Sequence, residues 1–272
     1  MSSRPVTEMQ RWFLFEYKDD LLQKLYQLGE APEPQLLFTG TDLEPYADQS
    51  PMLICADSNP SIAAAVNDAP EDWQGLLIDS RHPQEQLLRH LQHILFIGFD
   101  GQRKGVLRYS NPRTASYFFP ACTAGDLPQW LGPIQTLAWY GATWRISASE
   151  RARWCRVENP EAIRWKPAMA PLFLHLSDEQ SQALRCQQTE RFLFQWWEQQ
   201  SALSFPQAWD FLKEGMASDF LSAESLSTYL DLRSAYPNAR PPAALPQGSD
   251  EHRINYLKTS MESSSTDKEW QA

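Results

Sequence analysis

The first hundred residues alternate short β-favouring runs with helical spacings of apolar side chains. Leu21, Leu22, Leu25 and Leu28 fall on one side of a helix predicted over residues 20–28. Runs rich in branched and aromatic residues predict strands over residues 12–17, 35–38, 52–55 and 76–78. Strands separated by short helices favour an α+β fold, with helices packed on a mixed β-sheet.

Residues 86–134 carry the densest pattern in the chain. Leucine and isoleucine recur there at intervals of three and four up to residue 95, which predicts a helix. Two β-favouring runs follow, over residues 96–99 and 106–109. Asp100-Gly101 between them is typical of a hairpin turn.

Two short helices are predicted after this hairpin. The first begins with Asn111 as N-cap and Pro112 at the first helical position, where the missing N–H costs nothing. Thr123 and Asp126 form an acidic variant of the capping box and start the second helix. Gly132 closes that helix.

Residues 135–166 change to a strand-like alternation in which tryptophan and arginine interleave. We predict a twisted hairpin or meander that extends the sheet, followed by a proline-punctuated linker. Three interpretations are open: a solvated strand with tryptophan inward and arginine outward, a nucleic-acid surface, and a protein docking face. The candidate partner-binding residues of this segment are Trp139, Trp144, Arg151, Arg153 and Arg156.

A helical segment is predicted from Ser177 onward. Ser177 and Gln180 form a capping box, and the helix should extend to about residue 200. Helices over residues 206–216 and 222–234 complete a three-helix lobe. The end of the first helix is apolar on all sides, so we expect it to be enclosed by its own lobe or, alternatively, by a partner. The candidate residues there are Phe192, Phe194, Trp196 and Trp197.

These patterns divide the chain into three parts. Residues 1–166 are predicted to form an α/β domain with a Trp/Arg-rich β extension, and residues 177–235 a helical lobe. Residues 236–272 combine a proline-rich linker with a polar tail that we expect to be disordered.

Charge is distributed unevenly along the 272 residues, whose net charge is −10. Residues 1–100 carry a net −10, residues 101–176 a net +6 and residues 177–272 a net −6. Local fields of this kind steer partners, whereas the total mainly sets solubility. The cationic middle could brace the acidic ends or face an acidic partner.

Other bulk features indicate a cytoplasmic protein with no membrane contact. The chain has four scattered cysteines, which we expect to be free thiols. It has no apolar run long enough to cross a bilayer, and residues 1–13 lack the apolar stretch of a secretory signal.

The sequence lacks the common motifs of hydrolases, zinc proteases and nucleotide-binding loops. We therefore expect no catalytic residue, no cofactor and no metal. His90 and His93 have a spacing that suits a metal, but without a third ligand nearby we expect a surface or capping role. Arg108 and Arg113 are expected to hold loop carbonyls and carboxylates, with partner contact as the alternative.

The order of short motifs across residues 11–135 resembles the adaptor-chaperone family of bacterial type VI secretion. The main motifs are His90-Leu91-Gln92, Arg108-Tyr109, Asn111-Pro112-Arg113 and Gly132-Pro133-Ile134. Upstream matches are Leu37-Phe38, Gly40-Thr41, Ser50-Pro51-Met52-Leu53 and Trp73-Gln74-Gly75-Leu76-Leu77. The chain departs from the pattern at Gln92, where arginine is usual, at Asn111, where aspartate is usual, and at Glu16-Tyr17, where aspartate and glycine are usual.

The resemblance implies an adaptor that binds a specific secreted effector, a toxin, and assists its loading onto a VgrG-type spike protein. In such a protein we expect the α/β lobe to supply the shared adaptor function and the helical lobe to select the cargo. Two alternatives are an enzyme, metal-dependent or acting on a small molecule, and a nucleic-acid-binding module through the basic segment 145–166. Convergent ionisable groups in a pocket would favour the enzyme, and salt-sensitive binding would favour nucleic acid, which we do not expect as a partner.

Overall fold

The structure of the chain is a computed structural model that describes residues 8–29, 31–99, 103–167, 173–200, 203–242 and 244–269, with side chains up to residue 263. Its strands are β1 (Gln10–Phe15), β2 (Gln35–Leu36), β3 (Met52–Cys55), β4 (Gly75–Ser80), β5 (Phe96–Gly98), β6 (Lys104–Val106), β7 (Ile134–Gly141) and β8 (Arg153–Glu158). Its α-helices are α1 (Leu21–Leu28), α2 (Pro60–Asp68), α3 (Gln84–His93), α4 (Pro112–Phe118), α5 (Leu127–Leu131), α6 (Trp144–Ser147), α7 (Asp178–Trp197), α8 (Phe205–Ala217), α9 (Ala223–Ala235) and α10 (Asp250–Glu269).

Most of the strands form one sheet in the order β2–β3–β1–β4–β7–β8. Among the described residues, every pairing in this sheet is antiparallel, so neighbouring strands run in opposite directions throughout. Strands β5 and β6 form a separate antiparallel pair. The predicted α+β class, a sheet with packed helices followed by a helical part, is confirmed.

The side chains of β1 contribute alternately to two separate cores, because successive residues of a strand point to opposite faces of the sheet. Trp12 and Leu14 join the core that contains the buried leucines of α3, Phe118 of α4 and Trp130 of α5. Phe13 and Phe15 join the core that contains the buried apolar residues of α1 and α2. Both faces of the central strand are therefore covered, and each large apolar side chain contributes about 1.5–3 kcal/mol when fully buried.

Several predicted elements appear where the sequence places them. The strand predicted over 52–55 is β3, the helix over 20–28 is α1, and the hairpin over 96–109 consists of β5 and β6. Asp100 and Gly101, the predicted turn, lie outside the described residues.

The Trp/Arg-rich segment differs from the predicted run of strands in two places. Strands β7 and β8 form one hairpin, but residues 144–147 between them are helical. The Thr143 hydroxyl accepts a hydrogen bond from the N–H of Ile146 at 3.3 Å and so caps α6. Residues 162–164 form a 3₁₀ turn rather than the predicted strand. Only Trp139 and Trp154 of the four tryptophans in this segment therefore lie on described strands.

The chain divides into two compact units, residues 1–187 and 188–272. The division falls within α7. Helix α7 begins with the predicted capping box: the Ser177 hydroxyl accepts from the N–H of Gln180, and the Gln180 amide oxygen accepts from the N–H of Ser177 at 3.0 Å.

The C-terminal unit contains one helix that the sequence does not predict. Residues 250–269, expected to be a disordered tail, form α10. Leu257 and Met261 are four residues apart, are fully buried and lie on the helix that packs against α9. These two buried side chains anchor a segment that is mostly polar.

Candidate functional site

His90 and Gly132, from two of the motifs, pack directly against each other. The Nε2–H of buried His90 donates to the carbonyl oxygen of Trp130 at 2.9 Å. Burial lowers the pKa of His90 from 6.5 to about 4, so the ring is neutral at physiological pH. Gly132 has φ +52°, and a Cβ atom at this position would overlap the His90 ring. The pair fixes α3 against the end of α5.

These contacts assign His90 to the core. His93 is half-buried, and burial lowers its pKa as well. In the part of the chain that the structure describes, no group of three or more His, Cys, Asp or Glu side chains is arranged to hold a metal ion.

Arg108 and its neighbours fasten the hairpin to the central strand. Glu16, only 6% exposed at the end of β1, accepts a hydrogen bond from Arg108 Nη2 at 2.7 Å and another from the Ser110 hydroxyl. The Tyr109 hydroxyl donates to the carbonyl oxygen of Leu91 at 2.7 Å, and burial raises its pKa. Glu16 stands where the resembled family usually has aspartate, and its carboxylate accepts two hydrogen bonds.

The Asn111-Pro112-Arg113 motif starts α4 and ties it to α6. The Asn111 side chain accepts from the N–H of Arg113 at 2.9 Å, which is the predicted N-cap. Arg113 Nη1 donates to the carbonyl oxygen of Ala142 and to the Ser147 hydroxyl, both at 2.6 Å. Its guanidinium also lies 4.1 Å from the centre of the Trp144 ring. Arg108 and Arg113 therefore make the carboxylate, carbonyl and hydroxyl contacts expected of a supporting role.

An open cleft of about 340 Å³ lies next to this motif. Its walls are aromatic and its rim carries one carboxylate and one guanidinium; the principal lining residues are Glu71, Trp73, Arg113, Tyr140, Trp144 and Ala152. Trp73 packs on Phe15 with ring centres 5.1 Å apart, which anchors one wall to the core. An aromatic cleft with one charge of each sign suits a peptide with mixed apolar and polar side chains.

The described residues cover only part of the sheet face beside the cleft. Helices α1 and α2 contribute to the core that covers β1 and β3 on this face, but the side chains of β8 on it are exposed. The register places Arg156 beside Ala138 and Trp154 beside Tyr140. Trp154 is 44% exposed and meets Tyr140 edge-on, with ring centres 5.8 Å apart. This part of the sheet presents an aromatic and cationic surface.

The candidate residues of the Trp/Arg segment are separated by the structure. Trp139 is buried and donates from Nε1 to the Ser116 hydroxyl at 2.8 Å, so it contributes to the core rather than to a surface. Trp144 lines the cleft. The three candidate arginines are exposed: Arg151, Arg153 and Arg156.

The candidate residues at the end of α7 lie in the C-terminal unit, where Phe194 and Trp196 are buried and Phe192 and Trp197 half-buried. Trp196 Nε1 donates to Asp231 at 2.8 Å, and Trp197 Nε1 donates to the carbonyl oxygen of Leu203 at 2.7 Å. These contacts stay within the unit and favour enclosure by its own helices.

Sequence reasoning missed Trp73 and Tyr140 as cleft residues. Trp73 stands in an upstream motif, and Tyr140 interrupts the alternation of β7, but neither signal indicates that the two side chains line the same cleft.

Together, the fold and site define an α+β protein whose motif residues brace a sheet beside an open aromatic cleft. A family model described as a domain of unknown function (DUF4123) matches residues 16–129, which is less than half of the chain. The matched segment lies inside residues 11–135, where the sequence resembles the type VI adaptor family. The chain matches no curated protein and no solved structure. None of the helices in the described segments has the length and apolar character needed to cross a membrane.

Proposed function

We propose that this protein is a cytoplasmic adaptor that binds a type VI secretion effector and assists its loading onto a VgrG-type spike protein. The observation that carries the proposal is the position of the family match, which covers β2–β4 and the contacts of Glu16, Arg108 and Asn111. DUF4123 is the domain that the resembled adaptors share. The motif residues thus form a structural support, and the cleft beside them offers the binding surface.

The proposed mechanism is binding without chemical turnover. Arg108 donates a hydrogen bond to Glu16, and Arg113 donates to Ala142 and Ser147. These bonds hold the hairpin, α4 and α6 in one arrangement. A pre-arranged surface loses little entropy when a partner binds. The N-terminal unit would then meet the spike and the helical unit would select the effector.

The test is recovery of both partners from the native host with tagged full-length protein. The Glu71→Lys variant reverses the charge at the rim of the cleft and should lower recovery of the spike about tenfold, the effect of about 1.4 kcal/mol. Asp72→Lys is the matched control, because Asp72 is also exposed, is adjacent, and does not line the cleft. Equal losses in the two variants, or the absence of a spike and an effector from the wild-type sample, would reject the proposal.

The helical unit is tested separately. Leu221 is 74% exposed between α8 and α9, and Leu221→Glu should reduce recovery of the effector while leaving recovery of the spike unchanged. Leu221→Met keeps an apolar side chain and should behave as the wild type. Loss of the spike instead of the effector would contradict the assignment of the cargo to this unit.

A further inference from the structure

Among the strands that the structure describes, β8 stands at an open edge of the large sheet. It is last in the strand order, and the opposite edge strand, β2, contains two residues against the six of β8. The edge of a sheet presents unpaired N–H and C=O groups that can pair with another chain.

The phase of the β7–β8 ladder identifies which backbone groups are unpaired. The N–H of Asn159 donates to the carbonyl oxygen of Gln135 at 2.9 Å, so these two residues form a hydrogen-bonded pair at the end of the ladder. Hydrogen-bonded pairs alternate with non-bonded ones in an antiparallel ladder. In the register of this ladder, the next bonded pairs involve Val157, Cys155 and Arg153. The N–H and C=O groups of the alternate residues therefore point away from the sheet.

These outward groups belong to Trp154, Arg156 and Glu158. Within the described residues, no other backbone or side-chain hydrogen bond reaches them. The same three side chains stand on the partly covered sheet face, because residues two apart in a strand share a face. The outward backbone groups and the side chains of Trp154, Arg156 and Glu158 can therefore contact the same partner.

The side chains around this edge are aromatic and cationic. Trp154 offers an exposed ring. Among the described residues, Arg156 forms an ion pair only with the exposed Glu158, at 3.2 Å, and such a surface pair contributes little stability. The exposed side chains of Arg151 and Arg153 form no hydrogen bond or ion pair with any residue that the structure describes. The segment 101–176 carries a net +6 in a chain of net −10. The complementary ligand is acidic and partly apolar.

We propose that β8 binds an extended segment of a partner protein as an added strand, and that this segment alternates acidic with apolar or aromatic side chains. The backbone of the segment pairs with Trp154, Arg156 and Glu158. Because residues two apart in a strand share a face, the register that places its acidic side chains beside Arg156 places its apolar side chains on the opposite face, beside Cys155 and Val157. The inference rests on the proposed function only in that a partner protein supplies the segment, whether effector or spike.

A second copy of this chain should pair with β8 less favourably than an acidic segment does. In a symmetric antiparallel pair, the register that uses all three outward residues on both strands places Arg156 opposite Arg156. Like charges directly opposite each other destabilise a strand pair. An acidic segment has the opposite effect at the same position.

The first experiment measures amide exchange in the full chain by NMR, with a synthetic nine-residue peptide that alternates glutamate with valine and phenylalanine. The peptide should slow exchange at the amides of Trp154, Arg156 and Glu158 and leave those of Cys155 and Val157, already in the ladder, almost unchanged. A peptide with lysine in place of each glutamate should bind at least about tenfold more weakly. Protection elsewhere, or equal binding of the two peptides, would overturn the proposal.

The second experiment compares two variants at one position by fluorescence anisotropy with the labelled acidic peptide. Arg156→Pro removes an outward N–H that β7 does not use, and proline is tolerated at such edge positions. Arg156→Gln removes the charge but keeps the donor. Binding should be lost in Arg156→Pro and weakened a few-fold in Arg156→Gln, with the latter less sensitive to salt.

Further results also test the proposed strand addition at β8. If Arg156→Pro lowers the melting temperature sharply, the exchange pattern of the wild-type chain is the deciding measurement. Dimerisation in sedimentation that the acidic peptide does not disrupt, or tighter binding of a 20-nucleotide single strand than of the peptide, would overturn the assignment. Neither result depends on recovery of an effector or spike from the host, so a failure here is distinct from failure of the proposed function.

Discussion

The His90 ring packs against Gly132 between α3 and the end of α5. This contact explains why one motif supplies a histidine and a distant motif supplies a glycine. The glycine is required twice, by its positive φ and by the ring that fills the space of a Cβ. Neither requirement depends on a partner or a ligand.

Replacing Gly132 by alanine should therefore destabilise the fold by about 3 kcal/mol, because backbone strain and overlap with His90 add together. Gly40→Ala is the matched control: Gly40 also has positive φ, +74°, but nothing lies within 4 Å of a Cβ there. It should cost only about 1 kcal/mol. Urea denaturation measures both, and equal losses would show that overlap with His90 contributes nothing.

Because of His90, the free energy of unfolding should decrease as the pH is lowered. Its folded-state pKa of about 4 lies below the unfolded value of 6.5, so the unfolded chain binds a proton first as the pH falls. Stability from this group is complete above about pH 6.5 and decreases towards pH 4, by at most about 1.4 kcal/mol per pH unit.

Urea denaturation between pH 7.5 and 4.5 measures this dependence. His90→Gln places an amide N–H near the position of Nε2, can still donate to Trp130 and should flatten the curve, with half-buried His93 supplying part of the remaining slope. His252→Gln, which replaces an exposed histidine, is the control for the substitution itself. Parallel curves for the wild type and His90→Gln would contradict the assignment.

At the scale of elements, the start of α4 explains why a departure from the family pattern is harmless. Asn111 fills the N-cap position where the family usually has aspartate, and its side-chain oxygen accepts the same backbone N–H. Asn111→Asp should change the free energy of unfolding by a few tenths of a kcal/mol at most, whereas Asn111→Ala should cost about 1 kcal/mol. Thermal denaturation distinguishes them, and an equal loss in both would mean that the cap is not the source of stability.

Helix α10 is testable in the same way. Leu257 is fully buried, and Leu257→Ala should destabilise the C-terminal unit by about 2–4 kcal/mol because it leaves a cavity. Tyr256→Ala, one residue earlier and exposed, should cost less than about 0.5 kcal/mol. Hydrogen exchange over residues 250–263 should rise only in the first variant; fast exchange in the wild type would restore the expectation of a disordered tail.

The sequence predicts elements whose cause is local and misses those decided by distant contacts. The N-caps at Asn111 and Ser177 are visible because the capping residues are adjacent to their helices. Helix α6 is missed because strand-like alternation continues into it, while its position is fixed by Arg113, about thirty residues earlier. Helix α10 is missed because two buried anchors carry little weight in a polar composition.

The candidate site is predictable only in part for the same reason. The motif residues are recognisable from their order, but the cleft joins Trp73, Arg113 and Tyr140 from three separate parts of the chain. No periodicity indicates that they meet. The exposure of Trp154 and the burial of Trp139 also depend on which face of the sheet the helices cover.

At the scale of the whole molecule, charge is segregated along the sequence, and partner binding should reflect this. If the basic segment 101–176 contacts an acidic partner, raising NaCl from 0.05 to 0.5 M should lower the association rate about tenfold or more, because salt screens long-range attraction. Stopped-flow mixing with the recovered partner measures the rate. The melting temperature of the free protein serves as control, and a salt-independent rate would exclude the basic segment from the encounter.

The order of the two units has a consequence for synthesis on the ribosome. The last strand of the sheet, β8, is complete at Glu158, and the core of the first unit draws on residues up to Leu184. The 85 residues from Gln188 to Ala272 are translated afterwards, which takes roughly 4–17 s at 5–20 residues per second. A nascent chain therefore exposes its completed sheet edge for several seconds before the helical unit has been synthesised. Binding during translation would shield that edge from neighbouring nascent chains, and the arginines along it would deter unwanted pairing in the meantime.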